Sequence, residues 1–125
     1  MYKFIERYFV SKDDRGVLEG LINSGEWQEV NYIQSENGVI RGNHYHKKTV
    51  EVFFILSGKL KVSLQKVVDG KLDGEIKELS ISKGEVFMIN PMTHHTFDII
   101  EDSEWINMLS IKMNQETPDI HRIKI

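Results

Sequence analysis

Four of the five histidines in this chain fall into two short runs, Gly42-Asn43-His44-Tyr45-His46 and Asn90-Pro91-Met92-Thr93-His94-His95. On a β-strand, residues two apart project from the same face, so His44 and His46 are expected to point together. Glu51 follows shortly, inside the run Val50-Glu51-Val52-Phe53-Phe54-Ile55-Leu56. An ionised carboxylate in so apolar a strand costs several kcal/mol unless a cation or a donor meets it. His44, His46 and His95 with Glu51 would offer three nitrogens and one oxygen, a donor set suited to Fe, Mn, Co, Ni, Cu or Zn. The same carboxylate could instead pair with Arg41, Lys47 or Lys48, which are close in sequence. Residue types and spacing leave both readings open.

The elements that must carry these residues read as strands. Lys59 to Val68 alternates polar and apolar, with Leu60, Val62 and Leu64 on one face. Residues 28–34, 50–56, 86–89, 96–100 and 105–111 are β-branched and aromatic. Turn signals separate them: Asp13-Asp14-Arg15-Gly16, Glu36-Asn37-Gly38, Ser57-Gly58, Asp69-Gly70, Asp73-Gly74, Lys83-Gly84 and Glu101-Asp102-Ser103. Many short strands with regular turns predict an all-β sandwich or barrel. No stretch of a dozen residues keeps a helical period. Val17 to Ser24 reads as a strand or one short helix. The tail after Pro118 reads as a last edge strand or an arm reaching a partner subunit, with His121 a solvated histidine. Phe53 and Ile55 share parity with Glu51 and are expected on the wall beside it, while Phe87, Phe97 and Trp105 read as core.

Length and composition set the outer limits. The chain has 125 residues, which predicts one domain over 1–125. Hydrophobic residues are 40% and charged residues 28%, the mix of a soluble globule. A net charge of −3 gives no basic footprint for nucleic acid or an anionic membrane. Without cysteine there are no disulfides, thiolate metal sites, iron–sulfur clusters or cysteine nucleophiles. The longest purely apolar run, Val52 to Leu56, falls short of the ~20 residues of a membrane span. Lys3, Glu6 and Arg7 interrupt the place where a signal peptide would be apolar. The expected location is therefore cytoplasmic.

The pattern Gly38-x5-His44-x-His46-x4-Glu51-x6-Gly58 resembles the first motif of the cupin superfamily at every defined position. The second cupin motif is matched in part: Gly84 and His95 stand in place, but Asn90 replaces its proline and Met92 its second glycine. The resemblance covers residues 38–95. It implies a double-stranded β-helix, or jelly-roll barrel, with one divalent transition metal (Zn, Fe, Mn or Ni) in its mouth, held by His44, His46, Glu51 and His95. His94 then faces the other way as a surface or supporting residue.

Two further segments resemble sugar-nucleotide cupins. Asp14-Arg15-Gly16 looks like their N-terminal arginine–glycine signature. Arg41-Gly42-Asn43-His44-Tyr45-His46 is similar to the matching region of dTDP-4-keto-6-deoxyglucose 3,5-epimerases. It is closer still to the metal-binding cupin domain of capsular-polysaccharide enzymes and to the sugar 3,4-ketoisomerases. The resemblance implies an epimerase or isomerase acting on a nucleotide-linked keto sugar in cell-surface polysaccharide synthesis. Arg15 and Arg41 would hold the diphosphate, which guanidinium groups bind bidentately. His44 would be the base that removes a proton next to the keto group, and Tyr32 or the metal would meet the resulting enolate. A metal-bound His44 cannot also be a free base; Glu29, Tyr32 and Lys61 are the other candidates for moving the proton.

Two other readings compete. A three-histidine, one-glutamate site is compatible with an iron-dependent dioxygenase, and a sugar- or metal-binding cupin need not turn anything over. A homodimer is expected, with the apolar opening Met1 to Val10 serving as an edge strand at the interface.

Overall fold

The computed structural model describes residues 1–123; the last two residues of the expected tail strand lie outside the described residues. The described chain is all-β. Its strands are β1 (Tyr2–Phe4), β2 (Phe9–Asp13), β3 (Gly16–Gly20), β4 (Glu29–Ser35), β5 (Ile40–His44), β6 (Glu51–Ser57), β7 (Lys59–Val68), β8 (Lys71–Ser82), β9 (Val86–Ile89), β10 (Thr93–Ile99) and β11 (Ser103–Leu109). They form a five-stranded sheet in the order β1-β9-β6-β11-β4, a four-stranded sheet in the order β5-β10-β7-β8, and a separate β2-β3 hairpin. Every pairing is antiparallel.

Alternation decides which side chains meet between the two larger sheets. On β7, Leu60, Val62 and Leu64 are buried while the residues between them are more exposed. On β11, Ser103, Trp105, Asn107 and Leu109 are buried in the same rhythm. Central position decides the rest: β6 lies between β9 and β11, and its buried residues include both Phe53 and Ile55. The enclosed core joins Phe53, Ile55 and Trp105 of one sheet to Leu60, Val62 and Phe97 of the other. Two facing antiparallel sheets around such a core are the double-sheet jelly roll of a cupin.

β7 and β9 begin and end where the sequence pattern puts them. The segment after Arg15 is a strand, β3, and not a helix. β8 was not foreseen, because most of it is exposed and its period is hidden. The Asp69-Gly70 signal makes the β7–β8 turn, with both residues at positive φ. The Asp73-Gly74 signal is no turn; it lies within β8 where the register slips between Leu64 and Lys66 of the partner strand, and Gln65 donates to the Gly74 carbonyl at 2.8 Å. That is a bulge built on a left-handed glycine.

The opening residues do form an edge, β1, beside β9. The tail meets the body through a bridge between His121 and Tyr45, so His121 is half-buried where a solvated position was expected. No helix among the described residues is long and apolar enough to cross a membrane.

Candidate metal centre

The ladder of the smaller sheet brings the two histidine runs together. His95 on β10 is directly opposite His44 at the end of β5. A sharp reversal just before His44 makes that approach possible. Gly42 and Asn43 both have positive φ, and a Cβ on Gly42 would sit 2.9 Å from the His95 carbonyl oxygen. Glycine is therefore required there. Met92, which stands where the cupin pattern has a glycine, itself adopts φ 60, and its N–H donates to the His46 carbonyl at 2.7 Å. The departure from the motif keeps the turn it would have made.

From the other sheet, Glu51 enters at the first residue of β6. The ligating atoms of His44, His46, Glu51 and His95 all lie within 4.8 Å of one another. His94 is not in the group. The imidazole centroids of His44 stand 4.9 Å from His46 and 4.8 Å from His95. His46, Glu51 and His95 are buried.

The hydrogen bonds around these side chains fix which atoms face inward. His46 Nδ1 is 2.5 Å from the Asp119 carbonyl oxygen, and His95 Nδ1 is 3.0 Å from that of Thr93. A carbonyl can only accept, so both Nδ1 atoms carry protons. Each ring then turns its Nε2 toward the same carboxylate oxygen. Glu51 Oε1 lies 2.5 Å from His46 Nε2 and 3.2 Å from His95 Nε2. His46 Nε2 and Glu51 Oε1 are nevertheless buried without a hydrogen bond of acceptable geometry. One shared proton cannot satisfy three converging lone pairs, whereas a cation can. The residues present therefore fit a metal, with the carbonyls behind His46 and His95 in the orienting role usual for metal-bound imidazoles.

The electrostatics agree. Burial alone would raise Glu51, but His46 and His95 outweigh it and hold its carboxyl well below the usual range. Burial opposes charge on His46, yet the Glu51 carboxylate beside its Nε2 and the Asp119 carbonyl at its Nδ1 keep its pKa above the ordinary value. His44 is pushed down to about 3, first by burial and then by the neighbouring His95 and His46. It is a neutral lone-pair donor at any ordinary pH.

The group sits in a cavity of about 520 Å³. Phe53, Phe97 and Trp105 pack against one another at centroid distances of 4.9 to 5.4 Å and form its apolar wall. Arg41 lines the cavity too. Its Nε donates to Ser35 Oγ at 2.6 Å and one terminal nitrogen to the Gln34 carbonyl at 2.9 Å, so it is a held cation and not the partner of Glu51. Arg122, Glu29, Met113 and Ile120 also line the cavity. Of these, only Glu29 carried any signal in the sequence.

Two expected residues are elsewhere. Tyr32 lies on β4, whose inward residues are Glu29, Asn31, Ile33 and Ser35; Tyr32 falls on the outer face and is 54% exposed. Arg15 sits in the β2–β3 turn, its guanidinium held by Asp13 at 2.6 Å, and lines no part of the cavity. Neither lines the cavity. Lys61 is on the outside as well, paired with Glu78 at 3.2 Å.

No curated protein matches the sequence. Among solved structures, the capsular polysaccharide assembling protein CapF from Staphylococcus aureus is 26% identical with a TM-score of 0.69, over 94% of this chain and 34% of that one. The chain thus spans about a third of CapF's length. The QdtA 3,4-ketoisomerase from Thermoanaerobacterium thermosaccharolyticum, a double mutant in complex with TDP, is 25% identical with a TM-score of 0.73, over 97% of this chain and 86% of that one. The WlaRB TDP-quinovose 3,4-ketoisomerase from Campylobacter jejuni shares the fold at a TM-score of 0.78 and 20% identity, over 97% and 92% of the two chains. Residues 11–120 match the family described as the polysaccharide biosynthesis C-terminal domain. With that match across nearly the whole chain and its double-sheet fold, the protein is a cupin of the polysaccharide biosynthesis C-terminal domain family.

Proposed function

We propose that residues 1–125 form a single metal-binding cupin domain that isomerises or epimerises a nucleotide-linked 4-keto sugar for cell-surface polysaccharide synthesis. The observation that carries the reading is the convergence of three imidazole nitrogens and one carboxylate oxygen at the head of a cavity with a held arginine. The similarity to QdtA, solved with TDP, supports the substrate class.

His44, His46, Glu51 and His95 would hold one divalent transition metal, which supplies Lewis-acid stabilisation of negative charge on a sugar oxygen. Arg41 presents its guanidinium to the diphosphate, and Arg122 lines the same cavity. The aromatic wall of Phe53, Phe97 and Trp105 gives the sugar an apolar, water-poor surface. Isomerisation removes the proton from the hydroxyl-bearing carbon next to the ketone, leaving an enediolate; the hydroxyl proton passes to the former carbonyl oxygen, and a proton returns to the former carbonyl carbon. His44 could accept the proton from carbon only if its lone pair is free, and burial, which pushes its pKa down to about 3, works against that role. If the metal holds it, Glu29 is the other base within the cavity.

The protein is proposed to be cytoplasmic and homodimeric. Support for the dimer comes from Phe9, Val10, Val17 and Leu18, all exposed on the β2–β3 hairpin, and from the free edge of β4 with Val30 and Tyr32 exposed. Arg15, absent from the lining of this cavity, would meet the cavity of a second copy only across such an interface.

The test is deuterium incorporation from D2O into TDP-4-keto-6-deoxyglucose, with the metal-loaded and the chelator-treated protein. Exchange next to the ketone, lost on His46→Ala, supports the reading. No exchange with any TDP- or UDP-4-keto sugar rejects it, and oxygen uptake by iron-loaded protein would make the domain an oxygenase instead.

A further inference from the structure

The last described segment of the chain folds back onto the cluster. The Asp119 carboxylate accepts the backbone N–H groups of Lys47 at 2.9 Å, Lys48 at 2.9 Å and Thr49 at 3.0 Å. It also accepts the Thr49 hydroxyl at 2.9 Å, and His121 Nε2 stands 2.9 Å from its other oxygen. The same residue's carbonyl receives His46 Nδ1–H. On the other side of His46, the tail exchanges both backbone hydrogen bonds between His121 and Tyr45 at 2.9 Å, and Arg122 donates to the Asn43 carbonyl at 3.0 Å.

Four residues separate His46 from Glu51. Three of the four have their N–H groups gripped by Asp119, and the fourth, Val50, donates to Ser110 Oγ at 2.8 Å. The loop that spaces two of the four converging side chains is therefore held by one carboxylate, and the residue carrying it also orients the His46 ring. The Asp119 side chain is 22% exposed, so these bonds are shielded, but no part of it touches the cavity.

We infer that Asp119 is a positioning residue: it sets the His46–Glu51 spacing and the His46 tautomer, and so makes the C-terminal tail a working part of the metal centre. This inference rests on the metal reading above. A purely structural Asp119 would lower stability without changing either the His46 ring or metal affinity.

The experiment compares wild type, Asp119→Ala, Asp119→Asn and, as a control, Asp102→Ala, which loses a remote carboxylate cap on the Asn37 N–H. Each is studied at a temperature where its far-UV circular dichroism matches wild type. Co(II) affinity is measured by chelator competition, and the His46 tautomer by nitrogen–proton NMR of the metal-free protein. Asp119→Ala is expected to weaken Co(II) roughly 10- to 100-fold, the usual effect of removing an outer partner of a metal ligand. With the carboxylate gone, the tail loses its anchor on the 47–49 loop and the residue-119 carbonyl is drawn off His46 Nδ1, so the Nδ1–H signal should weaken, with Asp119→Asn intermediate and Asp102→Ala unchanged in both. If Asp119→Ala does not fold, Asp119→Asn carries the comparison. A wild-type His46 tautomer and wild-type affinity in the Asp119 variants overturn the inference. If wild type binds no Co(II), the metal reading fails by itself, and the tautomer in the metal-free variants still decides what Asp119 does.

Discussion

Asn107 Nδ2 donates to Glu51 Oε2 at 3.0 Å, which leaves Oε1 as the oxygen turned toward His46 and His95. The direction of that bond is fixed from farther out. Asn107 Oδ1 accepts from Asn31 Nδ2 at 3.2 Å, and Asn31 Nδ2 also donates to Glu29 Oε2 at 2.9 Å. An ionised Glu29 can only accept, so Asn31 must offer its amino group. Asn107 must then offer its oxygen to Asn31 and its own amino group to Glu51. Asn31 and the Met113 N–H in turn hold Glu29 ionised, below its ordinary pKa.

Asn107→Leu therefore should loosen Glu51 without touching any of the three histidines. Metal affinity is expected to fall about tenfold, by the same outer-partner logic. The orphaned Glu51 oxygen, buried with no donor, should lower stability by about 1–3 kcal/mol in the metal-free protein. Metal titration and urea unfolding of one preparation read both effects. An unchanged metal affinity would show that Oε1 is presented without Asn107's help.

Metal should stabilise the fold strongly, because the donors come from β5, the loop after it, β6 and β10 and cannot be assembled in the unfolded chain. Ligand at a hundredfold excess over its Kd adds about 2.7 kcal/mol, which for a chain of this size raises the melting temperature on the order of 10 °C. Scanning calorimetry with Zn(II), then with chelator, measures the shift. His95→Ala should abolish it, and a shift that survives in His95→Ala would place the metal elsewhere.

The histidines also set a pH profile for the metal-free protein, in two separate windows. His44 has a folded pKa of about 3, far below its unfolded value near 6.5. Its contribution is complete above pH 6.5 and is lost progressively as pH falls toward 3, because the unfolded chain then binds a proton that the fold refuses. His46 is raised, so its contribution is complete below pH 6.5 and is lost as pH rises through its folded pKa. The pair together favours maximal stability near pH 6.5. Glu51 and Asp119 are both depressed, and their contributions disappear only below about pH 4. Denaturant unfolding in chelator at pH 7.5, 6.5, 5.5 and 4.5 should show the decline below 6.5, at most about 1.4 kcal/mol per pH unit from a single proton. In His44→Gln that decline should flatten. A slope that His44→Gln leaves unchanged would assign it to other groups.

How much of this was legible in the sequence follows from distance along the chain. His44, His46 and Glu51 lie within one turn and the strands beside it, so spacing and an apolar run expose them. His95 is readable because its run is dense and the jelly roll sets it opposite His44. Asn107 and Asp119 leave no such trace, since they act on partners 56 and 70 to 73 residues away, and an asparagine in a strand or an aspartate after a proline looks ordinary. Tyr32 shows the opposite difficulty. Its type suits the chemistry, but parity on β4 turns it outward, and parity depends on a strand boundary the sequence leaves uncertain by a residue. β8 escaped because most of it is exposed, with only Leu79 and Ile81 near its end turned to the core, too few to show a period.

Arg41 offers the most direct view of the substrate. Ser35 and the Gln34 carbonyl hold two of its nitrogens, and Ser35 Oγ is itself held by Trp105 Nε1 at 3.1 Å. The guanidinium is thus pre-oriented along the cavity wall, and little freedom remains to be lost when it meets an anion. Arg41→Ala should weaken TDP binding roughly tenfold or more, the scale of one charge-assisted hydrogen bond. Arg41→Lys should recover only part of this, because an ammonium cannot keep the Ser35 and Gln34 contacts and still face the ligand as a fork. Calorimetric titration with TDP measures both. Arg15→Ala supplies the contrast: its side chain is 87% exposed on the hairpin, so in a monomer it should leave TDP binding untouched. A loss of affinity in Arg15→Ala, disappearing at protein concentrations that dissociate a dimer, would mean that each cavity is completed by its partner's hairpin. Wild-type TDP affinity in Arg41→Ala would remove the diphosphate from this cavity altogether.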